Sequence, residues 1–483
     1  MKKIITLLNK KYFLITVLFI LYVLPLLFSP YYYMDDNVRV VTGKPDWGWQ
    51  GRPLADWLYY ALSFSYMHVK DFFPYSLLVG LLSLSLLYKK AESFLVCRHK
   101  EKIYAILPFL FIIINPFFIH NLSYRYDSLP MILGLIAAIL AYLVLTTKLN
   151  KIAKIALSMF LIISSLSLYQ PCVNAYLVIM FYYMILLNFQ KFKDYIKFLF
   201  KQLLIFIAGV LSYNILVLKI LGYGTPRSTL IGIHDIHIVG KKIIFFFHDL
   251  FFQLPELIFI LFSFLILSSF YCIMKKAKNK FIAFLSLSGM FLSLWGGLLL
   301  IKENVDLPRE FPVFGLYCCC LFSFLISMPS YKKLFIILMV ILLSINTLYF
   351  NYYMYLYQQQ KGYESRLEDS LVLKIKEDKN LSNLDIYING KPDYDYGIIW
   401  LINSDVFAKR MINTSDEWVT RYALYRKGLK NTVLDFKDEN IILKNNICSY
   451  RTHPYQETRE YDIYLIQEKI EIFLKRTPKL CQE

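Results

Sequence analysis

Two adjacent carboxylates and an arginine directly follow the first long apolar run of the chain. The segment reads Tyr31-Tyr-Tyr-Met-Asp35-Asp36-Asn-Val-Arg39. Ionisable side chains at the edge of a membrane are costly unless they have partners or a task. An aspartate is ionised at neutral pH and can take a proton from a hydroxyl group. We therefore predict that Asp35 or Asp36 acts as a general base and that Arg39 contacts the substrate.

Further polar side chains lie near the ends of later apolar runs. Arginine suits a phosphate ligand because its planar group binds two oxygens at once. Simpler interpretations stay open, since Arg125 and Asp127 could form a structural ion pair and Gln170 could bond a neighbouring helix. The candidate substrate-binding residues are Arg39, Arg52, Tyr124, Arg125, Asp127, Gln170, Arg227 and Arg309.

The composition is that of a membrane protein, because 57% of the 483 residues are hydrophobic and the apolar residues recur in long runs. A membrane-spanning helix needs about 20 mostly apolar residues. We predict an α-helical polytopic membrane protein with about 11 transmembrane helices. The candidate spans are 12–29, 73–88, 103–120, 129–147, 155–170, 174–189, 203–221, 256–274, 281–301, 311–329 and 334–351.

The distribution of lysine predicts the orientation of these spans. If the N-terminus is cytoplasmic, every cytoplasmic segment is basic, whereas the opposite loops carry fewer basic residues mixed with acids. We therefore predict that the Asp35-Asp36 loop and the C-terminal tail lie outside the cytosol. Much of the net charge of +18 is then a topology signal and does not indicate nucleic-acid binding.

The chain divides by composition into a transmembrane domain over 1–357 and a charged C-terminal domain over 358–483. In the first outer loop, Pro53 suits the first turn of a helix, and apolar residues from Leu54 to Leu62 follow at helical spacing, which predicts an interfacial helix. In the tail, alternating residues predict strands at 384–390, 461–467 and 469–474, and a helix at 415–426.

The cysteine and histidine residues carry no strong site prediction. Cys448 and Cys481 lie in the polar tail, and a disulfide between them and two free thiols are both open. We expect no metal or other cofactor. A divalent ion at Asp35-Asp36, or a metal held by His234, Asp235 and His237, is a less favoured alternative.

Four segments, in order along about residues 1–350, carry a family resemblance. They are Asp35-Asp36-x-x-Arg39, Gly51-Arg52-Pro53-Leu54-Ala55-Asp56, Tyr124-Arg125-Tyr126-Asp127-Ser128-Leu129-Pro130-Met131 and Ser167-Leu168-Tyr169-Gln170-Pro171. In these segments the chain resembles the O-antigen glucosyltransferases of serotype-converting phages. No motif in the tail extends the resemblance.

The resemblance implies a GT-C-like fold in a bacterial inner membrane, with the C-terminal α/β domain in the periplasm. It implies a polyprenyl-phosphate glucose donor, which a partner glycosyltransferase makes on the cytoplasmic side and a flippase turns over, and an O-antigen or other surface-glycan acceptor. A phosphate is a good leaving group, so direct displacement needs one base and inverts the anomeric carbon.

Two other kinds of function stay open. A glycan polymerase or ligase would also have many spans, although such enzymes usually carry a large central outer loop with arginines. A flippase or transporter predicts internal repeats and polar residues in mid-span, whereas this chain shows no repeat and clusters its polar groups at the span ends.

Overall fold

The chain folds as two compact units in a computed structural model that describes residues 11–95, 102–223, 237–250, 252–297, 308–412, 414–434, 454–466 and 468–475. We call Met1–Phe28, Pro45–Tyr66 and Lys70–Asn351 the helical unit. We call Ser29–Lys44, Met67–Val69 and Tyr352–Glu483 the mixed unit. The segment with Asp35 and Asp36 therefore belongs to the same unit as the C-terminal tail.

The described residues are mostly helical. In chain order the helices are α1 (Lys11–Leu27), α2 (Asp36–Thr42), α3 (Pro53–Ser63), α4 (Tyr75–Leu95), α5 (Ile106–Leu110), α6 (Pro116–Leu122), α7 (Ser128–Leu145), α8 (Lys151–Leu168), α9 (Asn174–Leu187), α10 (Phe192–Tyr213), α11 (His237–Leu250), α12 (Glu256–Lys276), α13 (Lys280–Leu292), α14 (Phe314–Ile326), α15 (Lys332–Glu377), α16 (Ile399–Ser404), α17 (Val406–Met411) and α18 (Glu417–Arg426).

Six helical stretches in the described ranges are long and apolar enough to cross a membrane by length and composition. They are Ser128–Leu145, Lys151–Leu168, Gln170–Leu187, Phe192–Ile220, Glu256–Lys276 and Lys332–Glu377. The predicted class, a mostly helical membrane protein with several spans, is confirmed at this level. The count of eleven spans stays a prediction.

Residues 103–120 do not form the one continuous helix that their apolar run predicts. The chain leaves the helix after α5 and starts again at α6, because Asn115 is extended and its side chain accepts bonds from Phe117 N (3.1 Å) and Phe118 N (3.2 Å). Pro116 then takes the first helical position, where its missing N–H costs nothing. Gly315 packs on this break so closely that a Cβ would overlap the Phe111 carbonyl.

The helix predicted in the first outer loop is present as α3, and its position at the membrane interface stays a prediction. Its buried side consists of Pro53, Ala55, Tyr59 and Ser63, whereas Trp57 on the other side is 57% exposed. A helix that exposes an apolar face in this way suits the boundary between lipid and water.

The last helix of the apolar part, α15, is 46 residues long and passes through both the predicted end of the span at 351 and the predicted domain boundary at 357. The two units divide between Asn351 and Tyr352, within this helix. The change in composition therefore marks the end of the apolar surface and not the end of the helix.

The mixed unit contains a four-stranded sheet with helices against one face. Its strands are β1 (Asp385–Lys391), β2 (Gln456–Glu457), β3 (Tyr461–Ile466) and β4 (Lys469–Lys475), in the order β1-β4-β3-β2. Strands β1 and β4 are parallel, and the other pairs are antiparallel. The three predicted strands and the predicted helix at 415–426 are confirmed as β1, β3, β4 and α18. Cys448 and Cys481 lie outside the described residues.

Alternation along β4 sends its side chains to two faces. Ile470 and Ile472 join a buried apolar cluster with Leu371 and Ile375 of α15. Glu471 points to the opposite face, is fully buried, and has no hydrogen-bond partner for either carboxylate oxygen among the described residues. Burial raises the pKa of this carboxyl to about 7.

The raised pKa makes the mixed unit pH-sensitive. The folded form holds the proton of Glu471 more tightly than the unfolded form does. The free energy of unfolding is therefore highest below about pH 4.5 and falls as the pH rises towards 7. We expect Glu471→Gln to slow hydrogen exchange of the β4 amides by about tenfold at pH 8 and to change it little at pH 4.5. The exposed Glu377→Gln is the matched control, and equal protection of wild type and Glu471→Gln at pH 8 would contradict the prediction.

Candidate functional site

The loop before α3 is fixed by hydrogen bonds to its backbone. Gly51 has a φ of +75°, and its carbonyl accepts a bond from the Tyr213 hydroxyl at 2.6 Å. The Gln170 side chain donates to the Gln50 carbonyl at 2.6 Å. A Cβ at Gly51 would collide with the Tyr213 hydroxyl, so the close approach requires glycine. These contacts set the direction in which Arg52 leaves the loop.

The Arg52 guanidinium lies in a buried polar cluster. It pairs with the Asp127 carboxylate at 2.6 Å and donates to the Leu168 carbonyl at 3.0 Å. It also contacts the Gln50 side chain at 3.4 Å and lies 5.0 Å from the centre of the Tyr169 ring. The two charged side chains are 7% and 3% exposed. Two such charges are stable in a buried site only when further hydrogen bonds offset the loss of hydration, and the Leu168 carbonyl and the Gln50 side chain contribute such bonds to Arg52.

Two helix ends favour this ion pair. Asp127 directly precedes α7, whose N-terminus has a partial positive charge that stabilises a carboxylate. Leu168 ends α8, where carbonyl oxygens have no partner within the helix and suit a cation. Asp127 thus has an ion-pair partner, Arg52, that differs from the Arg125 of the simpler interpretation.

Tyr169 connects this cluster to Arg309. Its ring faces Arg52, and its hydroxyl donates to the Arg309 carbonyl at 3.0 Å. Asn121 donates to the same carbonyl at 3.2 Å. The Arg309 side chain bonds the Tyr124 hydroxyl and lies 4.0 Å from the Glu310 carboxylate. Arg309 is thus held through both its backbone and its side chain.

Arg125 has a different acidic partner, Asp71, at 3.1 Å. Its guanidinium lies 4.9 Å from the centre of the Phe73 ring. Its carbonyl accepts weak bonds at 3.4 Å from Tyr59 and Ser76. Asp71 belongs to none of the sequence motifs, so its pairing with Arg125 could be found only from the folded structure.

Asp56 belongs to one of the sequence motifs, and in the structure its side chain bonds the backbone of the preceding turn. Its carboxylate accepts bonds from Trp47 N at 2.9 Å and Gly48 N at 2.8 Å. Burial raises the pKa of this carboxyl to about 6, although the two backbone bonds act in the other direction. Asp56 therefore closes the turn that leads to Arg52.

The predicted acidic pair is held in the mixed unit. The Arg39 guanidinium lies 3.7 Å from the Asp35 carboxylate and 3.6 Å from that of Asp36. The two carboxylates differ in access, because the Asp35 side chain is 37% exposed and that of Asp36 is fully buried. Only Asp35 is therefore open to a ligand from solvent in this structure.

The tail holds the acidic pair from behind. Tyr33 donates to the Met411 carbonyl at 2.6 Å. Arg426 of α18 contacts the Asn37 side chain at 3.4 Å and lies 4.8 Å from the centre of the Tyr32 ring. The Ser29–Lys44 segment and the tail thus form one packed body, which the sequence did not indicate.

The structure brings together Arg52, Asp127 and Gln170 in one cluster, Tyr124 and Arg309 beside it, and Asp35, Asp36 and Arg39 in the mixed unit. Arg227, His234 and Asp235 lie outside the described residues. Within the described part of the chain, no group of three or more His, Cys, Asp or Glu residues could hold a metal ion.

Comparison with protein families identifies the chain. A family model described as glucosyl transferase GtrII matches residues 24–328, which is more than half of the sequence. The chain belongs to the GtrII family. Membership confirms the resemblance that four motifs predict, and the match includes both the Asp35 segment and Arg309.

A curated relative comes from Salmonella phage P22 and is 36% identical to this GtrII member over 166 residues. The matched part is 34% of this chain and 33% of the relative, so the chain spans about a third of the relative's length. Its description reads "uncharacterized 55.3 kDa protein in gtrB 5′ region". Comparison with solved structures finds no match.

The buried pair predicts a strong coupling between Arg52 and Asp127. We expect Arg52→Ala to destabilise the protein by about 3–5 kcal/mol, because it leaves a buried carboxylate without its partner. The double variant Arg52→Ala/Asp127→Ala should lose less than the sum of the two single variants. Thermal unfolding in detergent, followed by tryptophan fluorescence, gives the comparison.

The control is Arg366→Ala, whose pair with Asp395 is 3.5 Å long and whose side chain is 69% exposed. This exposed pair should be worth less than about 1 kcal/mol. Additive losses in the Arg52 and Asp127 variants would show that the two residues do not stabilise each other.

Proposed function

We propose that this GtrII protein transfers glucose from a polyprenyl-phosphate donor to O-antigen or a related surface glycan. The observation that carries the proposal is the family match over residues 24–328, since it spans the Asp35 segment, the Arg52 cluster and Arg309. The six apolar helices supply the membrane setting that a lipid-linked donor needs.

Asp35 is our choice for the general base. Its carboxylate is accessible, whereas Asp36 is enclosed and faces Arg39. The acceptor hydroxyl would attack the anomeric carbon and give its proton to Asp35, while the bond from that carbon to the phosphate oxygen breaks. This single displacement inverts the anomeric configuration and needs no general acid, because the phosphate leaves as an anion.

Arg125 and Arg309 are our candidates for holding the donor phosphate. Their side chains are 14% and 18% exposed, whereas Arg52 is 7% exposed and bonds Asp127, the Leu168 carbonyl and Gln50. Arginine can offer two parallel N–H bonds to a phosphate. We assign Arg52, Asp127 and Gln170 to positioning and Tyr124 to holding Arg309. Arg39 would orient the two aspartates.

From the family we infer a GT-C-like arrangement in the bacterial inner membrane. The lysine distribution supports an orientation with the N-terminus in the cytoplasm and the mixed unit in the periplasm. The donor would then be made on the cytoplasmic side by a partner glycosyltransferase and turned over by a flippase. The P22 relative is described by its position beside gtrB, which agrees with a function that depends on neighbouring gtr products.

Substitution of the two aspartates tests the assignment of the base. We expect Asp35→Asn to reduce transfer by at least about 100-fold, because a general base contributes that much or more. Asp36→Asn should instead lower the amount of folded protein, since it removes a buried charge next to Arg39. The first measurement is the amount of each variant in the membrane, and the second is glycan analysis of surface polysaccharide from cells in which these amounts are matched.

The exposed Asp369→Asn serves as the control with an equal change of charge. Full transfer by Asp35→Asn would reject Asp35 as the base. If the wild type changed glycan chain length and added no hexose branch, the polymerase alternative would replace the transferase proposal. Movement of lipid-linked sugar across the membrane without any transfer would favour a flippase.

A further inference from the structure

A cavity lies within the helical unit, away from the residues discussed so far. It has a volume of about 110 Å³ and opens between the ends of α9, α12, α13 and α14. Its wall is mainly apolar and includes Ile185, Ile273, Ile282, Ala283 and Phe324. The proposed transferase mechanism uses none of these residues.

The helices place this cavity at the far end of the helical unit from Arg52. Helix α9 starts four residues after Gln170 and ends at Leu187, beside the cavity. Helix α14 follows Arg309 and ends at Ile326, also beside the cavity. Each helix rises about 1.5 Å per residue, so the two sites are about 20 Å apart. The lysine distribution predicts that the cavity end faces the cytoplasm.

One of the lining residues, Lys276, is basic, and it belongs to a lysine-rich turn between α12 and α13. Lys275, Lys276, Lys278 and Lys280 lie within six residues, without an acidic residue among them. The Lys276 ammonium group lines the cavity and donates to the Ser327 carbonyl and hydroxyl at 3.3 and 3.1 Å. No acidic side chain is among the described residues that line the cavity. The mouth therefore attracts an anion.

Hydrogen bonds join the two loops at the mouth of the cavity. The Lys278 N–H donates to the Asn188 side chain at 2.9 Å, and Asn279 donates to the Gln190 carbonyl at 3.1 Å. On the cavity wall, the Tyr182 and Ser323 hydroxyls bond each other at 2.9 Å. These two hydroxyls satisfy each other, so the interior suits a hydrocarbon chain better than a sugar.

We propose that this cavity binds an anionic phospholipid, with one acyl chain on the apolar wall and the phosphate beside Lys276. A free anion would use Lys276 but not the apolar wall, whereas the net neutral headgroup of a zwitterionic lipid would gain less than an anionic one from Lys276 and the lysines that follow it in the chain. Lysine near a membrane surface attracts anionic headgroups, and its own stem packs on apolar surface. The bound lipid would anchor the cytoplasmic end of the helical unit in the cytoplasmic leaflet, which contains the anionic lipids.

Native mass spectrometry of the full chain in detergent tests the proposal, with phosphatidylglycerol and phosphatidylcholine of the same acyl chains as probes. We expect the wild type to prefer phosphatidylglycerol. Lys276→Gln/Lys278→Gln should weaken its binding by about tenfold or more. Lys193→Gln/Lys197→Gln, the matched control on α10, should leave binding unchanged. Ala283→Phe fills the cavity without changing charge and should also weaken binding.

Several results would overturn the proposal. Equal losses in the two double-lysine variants would mean that only the general positive charge matters. Displacement of phosphatidylglycerol by inorganic phosphate would identify a free-anion site, and equal binding of phosphatidylcholine would remove the role of the headgroup charge. Unchanged binding by a monodisperse Ala283→Phe protein would remove the role of the cavity. If Ala283→Phe fails to fold, the comparison of the two double-lysine variants decides.

Discussion

The polar end of the helical unit depends on the ion pair between Arg52 and Asp127. A buried pair is stable only when geometry and additional hydrogen bonds offset the loss of hydration. Here the Leu168 carbonyl and the Gln50 side chain supply those bonds, and the Tyr169 ring covers the cation. The start of α7, the end of α8 and the loop before α3 must therefore meet in one arrangement. Tyr169 connects this cluster to Arg309, because its ring contacts Arg52 and its hydroxyl donates to the Arg309 carbonyl.

Much of the helical fold could be predicted from the sequence, because an apolar run of about 20 residues predicts a helix long enough to span a membrane. The runs that became α7, α8 and α12 are examples. Hydropathy failed where local chemistry overrides it. Asn115 and Pro116 interrupt an apolar run by capping a new helix. Residues after Tyr357 continue α15 although they are charged, since a helix does not end where its contact with lipid ends.

The sequence predicts the polar side chains of the site but not the groups that those side chains contact. Arg52, Asp127 and Gln170 carry visible motifs, and the structure brings them together. The Leu168 carbonyl has no sequence signal, because every residue has a carbonyl. The packing of Tyr33 against Met411 joins residues 378 positions apart, and no local pattern predicts such a contact. Accessibility, which separates Asp35 from Asp36, is likewise a property of the folded chain.

The most direct measurement is glucose transfer by the purified chain reconstituted in lipid vesicles, with polyprenyl-phosphate glucose as donor and O-antigen as acceptor. The account predicts one glucose added per acceptor site, with inverted anomeric configuration, no transfer from a nucleotide sugar and no change in acceptor chain length. Retained configuration would contradict the single displacement with one base. Transfer from a nucleotide sugar, or none from the lipid-linked donor, would contradict the proposed function itself.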